Sequence, residues 1–264
     1  MPSYRQTRAY AIARNAVAER GRHEFDRLAR AIDLSDPDAL QKLQKVADAV
    51  MRTYGAASAE LAAQWFALCA PDDAAPAALV FDASKRKLHE GIAYKWSQFA
   101  SDEIGARGLM DGCTAKAKES IVSAAAETLF EAIASDVRTR GERVQYVRVA
   151  SGDSCAFCAL LAAEDRTFST EDAAAFDAHD GCMCVAMPYH TAEDVDGYDR
   201  SRYSDMYERA KGTIDDGDYP DELRERIEAA KAEHDERYRR GEVGARWNRT
   251  NETLVVMRYQ NGLK

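Results

Sequence analysis

Leu40, Leu43, Ala47, Val50, Tyr54, Ala57, Leu61, Trp65 and Leu68 recur at alternating spacings of three and four, the period of a helix that buries one face. A strand alternates its faces every second residue, so this stripe commits that part of the chain to helix packing. Its ends are marked as well. Ser35 or Asp36 can accept free amide hydrogens of the first turn, Pro37 fits the first helical position, and Pro71 with Asp72 and Asp73 stops the run. Upstream, residues 3–32 read as an Arg-rich amphipathic helix weakened at Gly21. Downstream, a loop from Pro71 to about Ser84 leads to a helix carrying Ile92, Trp96 and Phe99, and glycines at 105, 108 and 112 then punctuate the chain. Ile121, Val122, Ala125, Leu129, Ile133 and Val137 mark a further helix from about Thr114 to Arg140, ended by Gly141. Residues 1–142 are therefore expected to form a helical bundle.

At Arg143 the period changes. Val144, Tyr146, Val147 and Val149, interleaved with Arg143, Gln145 and Arg148, predict a short strand. It opens a small α/β segment, residues 143–190. After Pro188 the chain turns highly charged. Helices are expected near Asp199–Lys211, from Pro220 to Arg240 and around Thr250–Gln260, making 191–264 a charged helical tail. The fold class is mainly α: a helical N-terminal bundle, a small zinc-stapled α/β module and the tail.

The module earns that description from its cysteines. Cys155 and Cys158 form a C-x2-C turn, and after twenty residues comes His179-Asp-Gly-Cys182-Met-Cys184. A C-x2-C turn aims two thiolates at one point, and a second cluster at this distance can close a tetrahedral zinc site. Five donors compete for four positions. His179-x2-Cys182 is the more familiar knuckle spacing, so Cys182 is favoured over Cys184 as the fourth ligand. A full set of protein donors leaves no position for a reacting water, which points to one structural Zn2+. Cys69 and Cys113 stand alone on helical patterns, and the clustering of the other four suits a metal better than a disulfide framework. His190, two residues after Pro188, reads as a surface histidine with an alternate-ligand role as the rival reading, and His23, His89 and His234 sit on charged helices with no chemistry expected of them.

No catalytic constellation emerges. The zinc deaminase signature fails, because Ser154 stands where it needs proline and His89 is directly followed by Glu90. Ser154 reads as a turn-capping hydroxyl to which no base can be assigned. The chain is therefore expected not to be an enzyme.

With 264 residues and 46 % hydrophobic content, a sizeable core can be buried. No apolar run approaches the roughly 20 residues that span a bilayer, and the N-terminus lacks the core of a signal peptide, so a cytoplasmic chain is expected. Residues 1–30 hold seven Arg against Glu19, Glu24 and Asp26, and residues 239–264 hold six basic against two acidic residues. Ends of +4 each within a net charge of −9 leave −17 for the residues between. That balance argues against a general nucleic-acid coat, while the basic ends could touch acidic protein surfaces or DNA phosphates.

Beyond Arg246, the residues Trp247, Leu254, Met257, Arg258 and Tyr259 place large apolar and basic groups at the end of a polar tail. Thr250 or Asn251 can cap a helix there. Since so short a helix is unstable alone, this segment is expected to dock on a partner instead of this chain's own core.

The segment from Arg148 through Cys155-Ala-Phe-Cys158 to His179-Asp-Gly-Cys182-Met-Cys184 and Pro188 resembles the MuF-like minor head proteins of tailed bacteriophages, especially those of actinobacterial phages. The likeness in layout spans most of the chain, but only about residues 148–188 are specific. The resemblance implies metal-binding roles for Cys155, Cys158, His179, Cys182 and Cys184. Met183 replaces the arginine frequent between the last two cysteines of that family. The resemblance further implies a place in the virion head, assembled in the bacterial host cytoplasm, with the portal or major capsid protein as partner and packaged DNA as a further contact through the basic ends. Some members act as capsid maturation proteases, an activity for which this chain shows no motif. A nucleic-acid-binding zinc protein is a second rival, opposed by Asp153, Glu164, Asp165, Asp177 and Asp180 around the cysteines, and a phage-delivered effector using the module as a packaging tag is a third, for whose additional catalytic domain this length hardly leaves room.

Overall fold

A computed structural model describes residues 2–141, 144, 146–150, 155–163, 184–191, 193–240 and 243–263. The described chain is mainly helical and divides into two compact units.

The first unit comprises the described residues of 1–147 and 186–196. Its first helix, α1 (Tyr4–Ala29), opens with a reciprocal cap: Gln6 donates its amide hydrogen to Ser3 Oγ (3.3 Å), and the Ser3 amide donates to Gln6 Oε1 (2.8 Å). This arrangement satisfies two orphan donors at once. Next comes α2 (Ala39–Val50), which starts two residues later than the proline at 37 implies. Asp36 instead builds a turn ahead of it, its carboxylate accepting the Asp38 amide (2.8 Å).

Between α2 and α3 (Ala56–Cys69) the helix does not break but widens into a π turn, Met51–Gly55, closed by Ala56 N–H to the Met51 carbonyl. The wider turn accommodates one extra residue and rotates the buried face. Leu43, Ala47 and Val50 lie inside as their spacing requires, but beyond the turn the core takes Ser58, Ala59, Ala62, Phe66 and Cys69. Trp65 stays buried, whereas Leu68 is 47 % exposed. Continuing the period past residue 50 therefore places Ala57, Leu61 and Leu68 on the wrong side.

The bundle closes with α4 (Asp82–Ala100) and α5 (Ala106–Arg140). Gly105 stands at the N-cap of α5, but Gly108 and Gly112 lie inside the helix instead of interrupting it. Gly141 ends it in the left-handed conformation (φ 72°), as its position predicts. Phe25, Leu43, Met51, Phe66, Leu88, Ile92, Leu109 and Ile121 form the fully buried centre. At Gly21 α1 packs closely on its neighbours: a Cβ there would lie 2.3 Å from Ile121 Cδ1 and 2.9 Å from Tyr54 Cβ.

A two-stranded sheet follows, β1 (Tyr146–Val149) with β2 (Val185–Pro188). Tyr189, just after β2, takes φ 67°, and its hydroxyl donates to buried Asp136 Oδ2 (2.5 Å). Asp136 also accepts from Arg140 (2.8 Å) one turn along α5.

The second unit holds the described residues of 148–166, 182–185 and 197–264. Its helices are α6 (Ala156–Ala163), α7 (Ser201–Asp216), α8 (Asp221–Arg239) and α9 (Arg249–Asn261). Here α6 and α9 pack on α7, and α8 packs on α9. Tyr203, Met206, Ala210, Leu223, Val256 and Met257 supply the core. The stretch 143–190, expected as a module of its own, is shared between the two units.

Candidate functional site

Cys155 stands immediately before α6, and its carbonyl accepts the amide hydrogen of Ala159 (3.0 Å). Its thiol sulfur accepts the amide hydrogen of Cys158 (3.4 Å), the position at which a Ser or Asp side chain would cap a helix. Both cysteines of the C-x2-C pair thus occupy one turn. Cys158 is fully buried and Cys155 half-buried. A C-x2-C pair held on one turn in this way sets two sulfurs within a single helical turn.

Five residues before Cys155, both backbone groups of buried Ala150 are held by tyrosines. Its amide donates to the Tyr198 hydroxyl (3.2 Å), and its carbonyl accepts from the Tyr203 hydroxyl (3.3 Å). The chain therefore leaves β1 from a fixed point. Cys184, fully buried, directly precedes β2. His179 and Cys182 lie outside the described residues, as do Ser154 and the acidic residues at 153, 164, 165, 177 and 180. Among the described residues, no three metal donors converge.

His190, His89 and His234 have structural partners. His190 Nε2 lies 3.2 Å from the Cys69 carbonyl, His89 Nε2 lies 2.9 Å from Asp48, and the His234 ring packs edge-on against Trp247 (5.7 Å). Trp65 donates its indole N–H to the Ala186 carbonyl (3.0 Å) and stacks on Tyr10 (5.0 Å), tying the middle of β2 to the bundle.

The C-terminal segment needs a correction. It does not stand apart from its own chain's core, because Val256 and Met257 are fully buried in the second unit. The N-cap of α9 is Asn248, whose side-chain oxygen accepts the Asn251 amide (3.2 Å) while its own amide donates to Asn251 Oδ1 (3.0 Å), so the N-cap is neither Thr250 nor Asn251, and Asn251 instead closes the capping box. Arg249 pairs with Asp215, Gln260 donates to Thr213 (2.7 Å), and Arg226 lies over the Tyr259 ring (5.5 Å). Leu254, Trp247 and Tyr259 are half-buried and Arg258 exposed. Helix α9 is short, but tertiary packing stabilises it.

A family model described as VG15 protein matches residues 1–210. The chain belongs to the VG15 protein family. This is a family of viral, phage-encoded proteins. The match takes in the bundle, the C-x2-C turn and β2, and it ends within α7, so α8 and α9 lie beyond it. Comparison with curated proteins and with solved structures gives no match. No helix among the described residues is long and apolar enough to cross a membrane.

The charge of the N-terminal end, read as +4 from sequence, is redistributed by the fold. Arg22, Arg27 and Arg30 pair along α1 with Glu19 (2.7 Å), Glu24 (2.7 Å) and Asp26 (2.8 Å). Arg14 is buried over the Tyr10 ring (5.8 Å). Arg5, Arg8, Arg20, Arg27 and Arg30 are exposed. The i, i+3 and i, i+4 partners of Arg22, Arg27 and Arg30 are visible in the sequence, whereas the burial of Arg14 is not.

Proposed function

We propose that this chain is a minor head protein of a tailed phage that binds the portal or the major capsid protein during head assembly, stapled by one structural zinc ion. Membership of a phage protein family supplies the setting, and the likeness of residues 148–188 to the MuF-like pattern supplies the head. The observation that carries the zinc is the bond from the Cys158 amide to the Cys155 sulfur, which sets two thiols on one turn at a helix N-terminus. Such a donor pair suits Zn2+, with His179 and either Cys182 or Cys184 completing the shell. Bound there, the ion would supply cross-linking rather than catalysis, fixing the loop between the two cysteine clusters.

The outer side of α9, with Arg258 exposed and Leu254 and Tyr259 half-buried, is the surface assigned to the head partner. Met257 cannot contribute to it from its buried position. Particles purified from a producing host test the reading. Mass spectrometry of proheads and filled heads should find this chain with the portal and major capsid protein, and its absence from both contradicts a head role.

A further inference from the structure

We infer that the connection between α3 and α4 is a proteolytic processing site, cut within residues 75–79 by an endopeptidase that accepts small apolar side chains, and that the cut chain stays assembled. Three connections join the helices of the bundle: residues 30–38, 70–81 and 101–105. The first is folded into turns, with the Ser35 amide donating to Asp33 Oδ1 (2.9 Å), the Asp36 amide to the Asp33 carbonyl (3.2 Å) and the Asp38 amide to Asp36 Oδ1 (2.8 Å). The third is tied back onto α4, since the amides of Glu103 (2.9 Å) and Ile104 (3.3 Å) both donate to the Gln98 carbonyl. The second differs. Ala75, Pro76, Ala77, Ala78 and Leu79 form no hydrogen bond among the described residues. All but Ala77 are exposed, Leu79 by 50 %.

An endopeptidase draws its substrate into the cleft as a strand, held by main-chain hydrogen bonds. Residues already bonded in turns or helix must unfold first, whereas the amides and carbonyls of 75–79 are open to a new partner. Pro76 biases itself and Ala75 towards the extended backbone that a cleft requires. The ends of the segment are fastened. Before it, the Ala74 amide donates to the Pro71 carbonyl (3.0 Å), and Asp73 accepts from Arg140 of α5 (3.0 Å). After it, the Thr128 hydroxyl holds both the amide (3.2 Å) and the carbonyl (2.7 Å) of Val80. The open residues are thus presented between two anchors on α5.

Side chains set the class of enzyme. Ala77 and Ala78 suit the small primary pocket of an elastase-type protease, and residues 70–81 offer no Lys or Arg to a trypsin-type one. The composition is also unlike that of the other two connections, which carry Asp33, Ser35, Asp36 and Asp38 or Ser101, Asp102 and Glu103. Hydrolysis adds water across the Ala77–Ala78 or Ala78–Leu79 peptide, leaving a carboxylate on the first residue and an amino group on the second. The cut separates α1–α3 from α4 and α5 in sequence only. Phe25, Leu43, Met51 and Phe66 on one side of it share the buried centre with Leu88, Ile92, Leu109 and Ile121 on the other. Helices α1 and α3 pack on α5, and α2 on α4, so burial holds the two pieces together.

Elastase added to the purified full-length chain in native buffer tests the geometry. Mass spectrometry should find the bundle cut within residues 75–79 before any cut at 30–38 or 101–105, and the pieces should elute together on gel filtration. Ala78→Asp sets a carboxylate at the bonds on either side of residue 78 and should slow the cut about tenfold or more. The position is exposed and without a partner, so the melting temperature of that variant should be unchanged. Labelling of new amino termini in cells producing the phage tests the processing itself: a terminus within residues 76–80 is expected, and it should vanish in Ala78→Asp. Any of four results overturns the proposal: an earlier cut in either of the other two connections, pieces that separate in native buffer, an unslowed Ala78→Asp, or no such terminus in the producing cells. The head assignment stands or falls separately, on the composition of the particles.

Discussion

Glu127 of α5 caps α4 from the neighbouring helix: its two carboxylate oxygens accept the amide hydrogens of Ala83 (2.9 Å) and Ser84 (2.8 Å). The second oxygen also accepts the Ser84 hydroxyl (2.8 Å). Helix α4 has no capping side chain of its own, since Phe81 stands at its N-cap. Beside Glu127, the Thr128 hydroxyl donates to the Val80 carbonyl (2.7 Å) and accepts the Val80 amide (3.2 Å). Two adjacent residues of α5 thus fix the entry to α4.

Glu127→Ala should destabilise the first unit by about 1–3 kcal/mol, because it strands amide donors at a partly buried helix end. Glu131→Ala, four residues on, breaks only the more exposed pair with Arg138 and should change stability by less than about 1 kcal/mol. Denaturant unfolding of the two variants checks the contrast. Equal effects would mean that Glu127 is no cap.

Two glycine substitutions should act in opposite directions. Gly21→Ala pushes a methyl group into Ile121 and Tyr54 and should cost about 1–3 kcal/mol, despite the better helix propensity of alanine. Gly212, exposed within α7, has no heavy atom within 4 Å of an added Cβ, so Gly212→Ala should stabilise by about 0.5–1 kcal/mol. Thermal melts of both variants test the pair.

What the sequence made legible and what it hid follow the same physics. Helical periodicity located the helices of the bundle, and Gly141 ended α5 as its position predicts, whereas α9 begins at Asn248 instead of the expected Thr250 or Asn251. The C-x2-C turn was visible because its meaning depends on two residues three apart. Periodicity failed at Met51–Gly55, since a π turn alters the register without any breaker residue to announce it. Long-range partners were equally hidden. Nothing local marks Glu127 as the cap of α4, or Tyr189 as the partner of Asp136.

Asp136→Ala should be among the costlier single changes in the first unit, about 3 kcal/mol, because it leaves Arg140 and the Tyr189 hydroxyl without their shared acceptor. The double variant with Arg140→Ala should cost less than the sum of the single changes. Additive effects in denaturant unfolding would show that the pair is not coupled.

Stability should fall as the solution becomes alkaline. Burial pushes the Cys113 thiol up to about 11 and the Cys69 thiol higher still, and burial with the neighbouring Glu252 carboxylate pushes Tyr219 up to about 12. Unfolded thiols ionise near about 8.5, so above that pH the unfolded chain gains charge that the folded chain resists. The contribution is fully present below that value and is lost as pH rises towards the folded values. Melting temperature should therefore decline above about pH 8.5, and more gently when Cys69 and Cys113 are both replaced by Ala. Identical slopes would contradict this origin.

The claim on which the account turns is that Cys155 and Cys158 begin a closed zinc site. Elemental analysis of full-length protein, produced with ample zinc and gel-filtered into metal-free buffer, tests it most directly. The account predicts about one zinc per chain, retained in Cys113→Ser and lost in Cys158→Ser. Less than half an equivalent, or full retention in Cys158→Ser, would contradict it.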